Sequence, residues 1–240
     1  MWQALRSELF PLGLEIVTVG IDTAGAEACR PFIEAAAPTH PSLIDTQHRV
    51  AELFGVINIP NGVWIDEAGT IVRPAEAAPS PERAARGEIP AEMPDRMKAI
   101  LGHAQNIQVD AEGYHAALRD WVANGAASAF ALSPDEVIAR STPRDRDVAL
   151  GQAHFEMATF LEQRGDHALA VPHFREAHRL QPKNFSYRRQ AWSLELADGP
   201  LARFWQGPIP GKEADWPYEG DWLTDVAAMG AENYYPAWTP

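Results

Sequence analysis

The sequence predicts an α/β domain followed by an all-α helical hairpin module. A run at 14–21 is dense in β-branched residues and apolar on both faces, which is typical of a buried parallel strand. From there to residue 73 helical and extended patterns alternate, and the segment 150–184 carries small and large apolar residues at helical spacing. We therefore place the α/β domain at 1–130, the helical module at 131–198 and an aromatic, proline-rich tail at 199–240.

The first predicted helix spans 2–10 and is stopped by Pro11, so the chain opens inside a helix. The strand at 14–21 follows it. A second helix is expected at 26–37, where it should bury Phe32 and Ile33. These elements predict a helix packed on a buried strand.

The next predicted helix spans 47–55, turns Leu53 and Phe54 inward and ends at Gly55. Two extended runs then flank a turn at Gly69, and this pattern indicates a β-hairpin. The order of strand, helix, strand and hairpin is typical of a mixed α/β domain.

Beyond the hairpin, the composition shifts to Ala, Pro, Glu and Arg, and we interpret 75–112 as an insertion in the first domain, with a short helix at 97–103. A firmer helix at 113–125 should close the domain. Ser133 followed by Pro134 has the form of a helix start, with the serine as N-cap.

Composition excludes several classes of function. The chain has 20 basic and 33 acidic residues, a net charge of −13, which disfavours nucleic acid and anionic membranes as partners. No apolar run reaches the roughly 18 residues of a membrane span, and no signal peptide is recognisable, so we expect a cytoplasmic protein. With one cysteine and scattered histidines, the sequence predicts no internal disulfide, no metal site and no bound cofactor.

The segment 43–72 resembles the ResA-like branch of the thioredoxin superfamily, redox proteins related to the peroxiredoxins (AhpC-TSA type). The features that carry the resemblance come in the order of the family: Asp45-Thr46, Gly55-Val56, the Ile59-Pro60 step, Ile65-Asp66 and the turn at Gly69. Together with the preceding strand and helix, the resemblance covers 1–73 and extends to 113–125 as the closing helix. It implies a thiol-disulfide or peroxide oxidoreductase.

The resemblance also implies a substrate-binding segment at Ile59 and Pro60. In the family, the proline at this place has a cis peptide bond, and the backbone of the preceding residue pairs with an incoming peptide. A cis bond has a low energetic cost only before proline, and an exposed backbone edge can accept a guest strand. We therefore expect Pro60 to be cis.

The Trp-Cys-x-x-Cys motif of the family is absent, because the helix that should follow it is the first element of this chain. The strand that carries the motif would be absent as well, which predicts an N-terminally truncated thioredoxin-like fold. A missing central strand leaves buried backbone groups unpaired at roughly 1–3 kcal/mol each.

Three explanations remain for this truncation. The start is assigned too late, in one version because a selenocysteine codon was read as a stop, which makes the chain a selenoprotein candidate. Alternatively, the flanking strands pair directly in a degenerate domain, or a partner chain supplies the strand. We favour the late start.

Cys29 is the one cysteine and thus the candidate catalytic residue. Some relatives carry a resolving cysteine in this helix, and Arg30 could favour its thiolate. A lone helical cysteine near Phe32 is more often a small apolar side chain in a core, and we favour that interpretation.

The segment 150–184 resembles a single tetratricopeptide repeat. The matching positions are Ala158, Leu161, Gly165-Asp166, Ala170, Phe174, Ala177 and Pro182. The small residues let two antiparallel helices approach closely. We expect the segment 185–197 and the helix after Pro134 to cover the two sides of this pair, and Lys183, Arg188 and Arg189 to form a solvated basic face.

The region from Trp192 to the end holds five of the eight tryptophans without a helical period, and we expect the tail to wrap the C-terminal helices. Two functions remain open. One is an oxidoreductase acting on a protein thiol, a disulfide or a peroxide. The other is a non-catalytic module that binds a protein partner, in part through the helical repeat.

Overall fold

Helices and two small sheets are both present in the computed structural model, which describes residues 2–80, 88–141, 143–195, 207–209, 211–236 and 238–239. The predicted mixed α/β class is confirmed at this level. The chain divides into two compact units. Unit 1 comprises Met1–Glu82, Asp110–Arg144 and Trp238–Pro240, and unit 2 comprises Arg83–Val109 and Asp145–Ala237.

The first sheet of unit 1 is a parallel pair joined by a helical crossover. After helix α1 (Trp2–Leu9), strand β1 (Thr18–Ile21), helix α2 (Ala26–Ala36) and strand β2 (Ser42–Asp45) follow in order. β1 pairs with β2 from Thr18 opposite Ser42 to Ile21 opposite Asp45. β1 is shorter than the strand predicted at 14–21, because β2 has only four residues with which it can pair.

The second sheet of unit 1 is the predicted hairpin. Helix α3 (Arg49–Phe54) ends at Gly55, which adopts the left-handed conformation with φ +73° that favours glycine. Strands β3 (Asn61–Ile65) and β4 (Ile71–Ala77) then pair antiparallel around the turn at Gly69.

Two helices pack on this hairpin and form the core of unit 1. They are α1 and α5 (Ala111–Asn124). Their buried side chains enclose Trp64 of β3, and the core consists of Leu5, Leu9, Trp64, Ala78, Tyr114, Ala117 and Leu118. Trp121 stacks on Trp64 with ring centroids 5.2 Å apart. The apolar faces predicted for the helices at 2–10 and 113–125 thus meet on one strand.

The helix after Pro134, α6 (Pro134–Arg140), begins with the predicted cap, because Ser133 and Glu136 form a reciprocal capping box. The sequence predicts it as a cover for the helical repeat, whereas the structure groups it with unit 1. α6 packs on β4 in unit 1, next to a hydrogen bond from Leu132 N to Val72 O.

The expected burial of two apolar side chains is also wrong. Phe32 is 78% exposed and Leu53 is 73% exposed. α2 contacts β1 through Cys29 instead, since a Cβ added to Gly20 would lie 3.1 Å from the cysteine Sγ. The other apolar side chains are better covered, since Ala51 of α3 is 1% exposed and Ile33, Val50 and Phe54 are half-buried.

Unit 2 is all helical in its described part. Its helices are α4 (Asp95–Asn106), α7 (Arg146–Gln163), α8 (His167–Leu180), α9 (Phe185–Leu194) and α10 (Trp222–Met229). α7 and α8 form the predicted helical hairpin, and Ala158, Ala170 and Ala177 are fully buried where the helices meet. Phe155 of α7 stacks on Tyr187 of α9 with ring centroids 3.9 Å apart.

The unit boundaries differ from the predicted divisions at 130 and 198. The predicted insertion contributes Ile107 and Val109 to the core of unit 2, and for that reason 83–109 groups with the helices. Residues up to Arg144 group with unit 1, because α6 rests on β4.

The described part of the tail packs on the helical unit as expected, but it is more regular than its sequence indicates. It contains α10, whose Val226 is fully buried, and Trp222 donates a hydrogen bond from Nε1 to the Tyr234 hydroxyl over 3.2 Å. Trp205 lies outside the described residues. Trp238 belongs to unit 1 and packs at the edge of its core.

Across the described ranges, every helix is too short or too polar to cross a membrane.

Candidate functional site

The predicted substrate-binding segment lies directly before β3. The Ile59-Pro60 peptide bond is cis, as expected. Pro60 is exposed and Ile59 is half-buried. The segment is therefore a surface feature anchored at one end of the hairpin.

Hydrogen bonds hold this segment on both sides. The backbone N–H of Ile59 donates to the side-chain Oδ1 of Asn58 over 2.9 Å, and Asn58 is only 4% exposed. The carbonyl oxygen of Pro60 accepts a hydrogen bond of 3.2 Å from the N–H of Ala78, just past β4. The resemblance implies that the backbone of Ile59 pairs with a guest peptide, and such a guest would compete with Asn58 for the N–H.

Asn61, on the other side of Pro60, has a buried Oδ1 that accepts no hydrogen bond from any described residue. A buried acceptor without a donor costs free energy. Asn58 and Asn61 were not among the sequence candidates. The sequence indicates them only through the symmetrical Asn-Ile-Pro-Asn at 58–61. That pattern predicts neither the buried side chain of Asn58 nor the buried Oδ1 of Asn61.

The support beneath the segment comes from α5. A Cβ added to Gly62 would lie 2.5 Å from the hydroxyl of Tyr114, so glycine permits this close approach. The hydroxyl accepts a hydrogen bond from Trp64 Nε1 over 2.9 Å. Burial raises the pKa of Tyr114 to about 12, against a smaller lowering effect of the Trp64 hydrogen bond, so the phenol is neutral at physiological pH.

Both sheets have an open edge. Among the described residues β1 pairs only with β2, and β3 pairs only with β4. Val17, just before β1, is 52% exposed, and Ile65 at the end of β3 is 44% exposed. An open edge presents unpaired backbone donors and acceptors to a guest strand.

Cys29, the candidate catalytic residue, lies on α2 against β1, whereas Ile59 and Pro60 lie at the other sheet. It is 8% exposed, and burial, followed by the nearby charge of Asp22, raises the pKa of its thiol. Arg30, the residue expected to favour a thiolate, pairs with Glu27 at 2.8 Å. These surroundings favour the packing interpretation of Cys29.

In the described part of the chain, no three or more His, Cys, Asp or Glu side chains are placed to hold a metal ion. The segment at 58–62 provides backbone groups, the buried amide of Asn58 and the buried Oδ1 of Asn61, which suit binding of an extended peptide. A redox reaction there needs a second thiol or selenol, since the sequence contains one cysteine.

No family model matches this chain, and the searches of curated proteins and of solved structures return no significant match.

Proposed function

We propose that unit 1 is a thioredoxin-like domain of a thiol-disulfide or peroxide oxidoreductase. In this proposal the segment at Ile59 and Pro60 receives the substrate, and residues encoded upstream of Met1 supply the redox motif. α7 and α8 act as a tetratricopeptide-like hairpin that supports the tail.

The observation that carries the proposal is the pair of open strand edges. β1 and β3 each have a single strand neighbour among the described residues. In the family that the sequence resembles, the strand bearing the redox motif lies between the counterparts of these two strands. A strand inserted there would join two two-stranded sheets into one sheet of five strands, and isolated two-stranded sheets are marginal in water.

Exposed apolar side chains on the first sheet support the same conclusion. Leu43 and Ile44 of β2 are 54% and 36% exposed. Parallel sheets are normally covered on both faces, so a parallel pair with exposed leucine and isoleucine is incomplete by itself. Covering a leucine fully contributes roughly 1.5–3 kcal/mol.

The first test is the DNA upstream of the first codon. The proposal expects an in-frame strand followed by a pair of cysteine or selenocysteine codons. If no such segment is present, the late-start form of the proposal is wrong.

The second test uses the longer chain, with cysteine at any selenocysteine position. It should reduce a disulfide substrate or consume peroxide, and its matched control, with serine at both motif positions, should be inactive. Hydrogen exchange should slow at the Ile59 and Asn61 amides when a disulfide-linked peptide binds. The 240-residue chain is expected to be inactive.

The second candidate is a non-catalytic protein-binding module. It is favoured by exposed apolar side chains along α7, where Leu150, Met157 and Phe160 are 40%, 45% and 53% exposed. Their spacing of seven and three residues lies along one helix face. Redox inactivity of the longer chain, despite a correct upstream segment, would favour this candidate.

A further inference from the structure

Unit 2 contains a cavity of about 420 Å³ that the predicted function does not use. It is formed by α8, α9 and the segment around Tyr218 that precedes α10. Its volume lies within the range of small-molecule pockets, about 300–1,000 Å³. All of the lining residues are described and belong to the same unit.

The inner wall of the cavity is aromatic. Trp192 is 1% exposed, Tyr218 is 7% exposed and His178 is 8% exposed. The imidazole lies edge-on to Trp192 and tilted against Tyr218, with ring centroids 6.2 and 5.2 Å away. Aromatic walls of this kind suit a flat apolar group.

Arginine side chains line the cavity at two depths. Arg175 and Arg179 on α8 are half-exposed and lie at the rim. Arg188 on α9 is 16% exposed and pairs with Asp225 of α10. The expected solvated basic face at Arg188 is thus wrong, because the tail helix covers this residue.

The three arginines differ in how many hydrogen bonds their guanidinium groups make to acidic neighbours. Arg179 is bound at two nitrogens by Glu176, at 2.8 and 2.6 Å. Arg175 makes a single contact of 3.5 Å to Glu219, which is 90% exposed. Such an exposed pair contributes little and yields readily to another anion.

Arg188 also has a hydrogen-bond donor without an acceptor. Its Nε is buried and has no hydrogen-bond partner among the described residues, and the same is true of Trp192 Nε1 and His178 Nε2. All three residues line this cavity. Arg188 Nε–H and Trp192 Nε1–H are buried donors without acceptors, which is unfavourable, and a ligand oxygen that reaches them removes that cost.

His178 does not add positive charge. Burial lowers its pKa to about 3, with a further lowering from Arg188, so the ring is neutral at physiological pH. The ring donates its one N–H to the backbone carbonyl of Tyr187, so Nε2 is unprotonated and can only accept a hydrogen bond. The cavity therefore combines cationic arginines with one neutral polar ring.

We propose that this cavity binds a small molecule that carries an oxyanion, either a carboxylate or a phosphate monoester, on an apolar or aromatic body. The guanidinium groups of Arg175 and Arg188 hold the oxyanion, because a planar guanidinium matches carboxylate and phosphate geometry. The body packs on Trp192 and Tyr218.

Neither of the two glutamates that line the cavity prevents an anionic ligand from binding. Glu176 is neutralised by Arg179, and Glu219 gives up its weak contact with Arg175 when the ligand binds. A neutral ligand gains no charge-assisted hydrogen bond. A free inorganic anion lacks the apolar contact with the aromatic wall.

The test is calorimetric titration of the whole chain at matched ionic strength with phenyl phosphate, benzoate, inorganic phosphate and benzyl alcohol. We expect phenyl phosphate or benzoate to bind with a Kd of about 1 mM or tighter. The stronger of the two identifies the oxyanion. Inorganic phosphate and benzyl alcohol should each bind about tenfold more weakly or worse.

Arg175→Gln should raise the Kd of the more tightly bound ligand by about tenfold or more, because the substitution removes a charge-assisted hydrogen bond. The residue is half-exposed, so the variant should remain folded. The matched control is Arg164→Gln, which changes an arginine at 62% exposure outside the cavity and should leave the Kd unchanged. Arg188→Gln is a second variant with the same expected loss, provided that its melting curve stays cooperative.

Three results would overturn the proposal. The first is that neither oxyanion ligand saturates the protein. The second is that the Arg175→Gln and Arg164→Gln variants bind the ligand equally well. Magnetisation transfer from the phenyl ring to Trp192 or Tyr218 locates the ligand, and transfer only to residues of unit 1 would likewise contradict the assignment.

Discussion

Trp64 and Tyr114 are joined by a buried hydrogen bond in which Nε1 of Trp64 donates to the Tyr114 hydroxyl over 2.9 Å. The two residues are 50 positions apart and are 4% and 1% exposed. The rings also meet edge to face, with centroids 5.8 Å apart. This contact fixes α5 against the strand that begins at the Ile59-Pro60 segment.

Removing the acceptor tests this contact. Tyr114→Phe leaves the Trp64 N–H buried without a partner, which should lower the free energy of unfolding by about 1–3 kcal/mol. Urea denaturation followed by circular dichroism measures the change. A loss well below 0.5 kcal/mol would mean that the hydrogen bond contributes little.

Gly62 provides a coupled test. Gly62→Ala should destabilise the protein by about 1–3 kcal/mol, since the new methyl group would meet the Tyr114 hydroxyl at 2.5 Å. In the Tyr114→Phe background the hydroxyl is gone, so part of this cost should disappear. If the two effects add within about 0.5 kcal/mol, the predicted close contact is not the cause.

Among the described residues of unit 1, Arg73 of β4 is the most deeply buried charge. It is 0% exposed and makes a two-nitrogen pair with Glu76 at 2.6 and 3.1 Å. It also donates to the carbonyl oxygens of Phe130 and Thr239. Glu76→Ala leaves this guanidinium without its counter-charge and should cost about 3–5 kcal/mol of unfolding free energy.

The matched control for Glu76→Ala is Glu8→Ala. It breaks an ion pair of similar geometry, Arg119 with Glu8, in which both side chains are nearly half-exposed. Solvent screening should keep that loss below about 1 kcal/mol. Equal losses in the two variants would contradict the role assigned to burial.

Cys29 should react slowly in the native protein. Burial raises the pKa of its thiol, and the thiolate is the reactive form. Iodoacetamide at neutral pH should modify it at least about tenfold more slowly than in urea. Because the chain has one cysteine, the mass of the intact protein reports this site alone. A native rate equal to the unfolded rate would restore Cys29 as a catalytic candidate.

His167 should make the stability of unit 2 depend on pH. Its Nδ1 lies 2.5 Å from Glu162 and its Nε2 lies 3.2 Å from Glu195. Burial by itself lowers the pKa of His167, but the hydrogen bonds and charges of the two glutamates outweigh it and raise the pKa above 6.5. The raised pKa means that the folded state binds the proton more tightly than the unfolded state.

The stabilisation from His167 is therefore present near pH 6 and is lost as the pH rises through the folded pKa. The side chain is 41% exposed, so screening limits the effect to about 0.5–1 kcal/mol. His167→Gln should lower stability near pH 6, and the difference from the parent should shrink towards about pH 9. In a Glu162→Gln background the same substitution should have a smaller effect. A difference that grows with pH would contradict the sign.

The candidate site was only partly predictable from the sequence. Ile59 and Pro60 stand out through the ordered pattern around them, and the hairpin that follows was predicted. The packing of Tyr114 beneath the segment could not be predicted. Its hydrogen bond to Trp64 joins residues 50 positions apart, and its close approach depends on the absence of a side chain at Gly62. The cavity beside Arg175 was missed for the same reason, since it needs a tail segment whose helix has no clear period.

The sequence by itself determined the features that act over a few residues. The Ser133 cap, the left-handed Gly55 and the small residues Ala158 and Ala170 between α7 and α8 are local backbone and size effects, so they are predictable from neighbours in the chain. Only the tertiary structure decided what is buried. Phe32 is exposed and Arg188 is covered, because burial depends on which distant segment lies opposite a side chain.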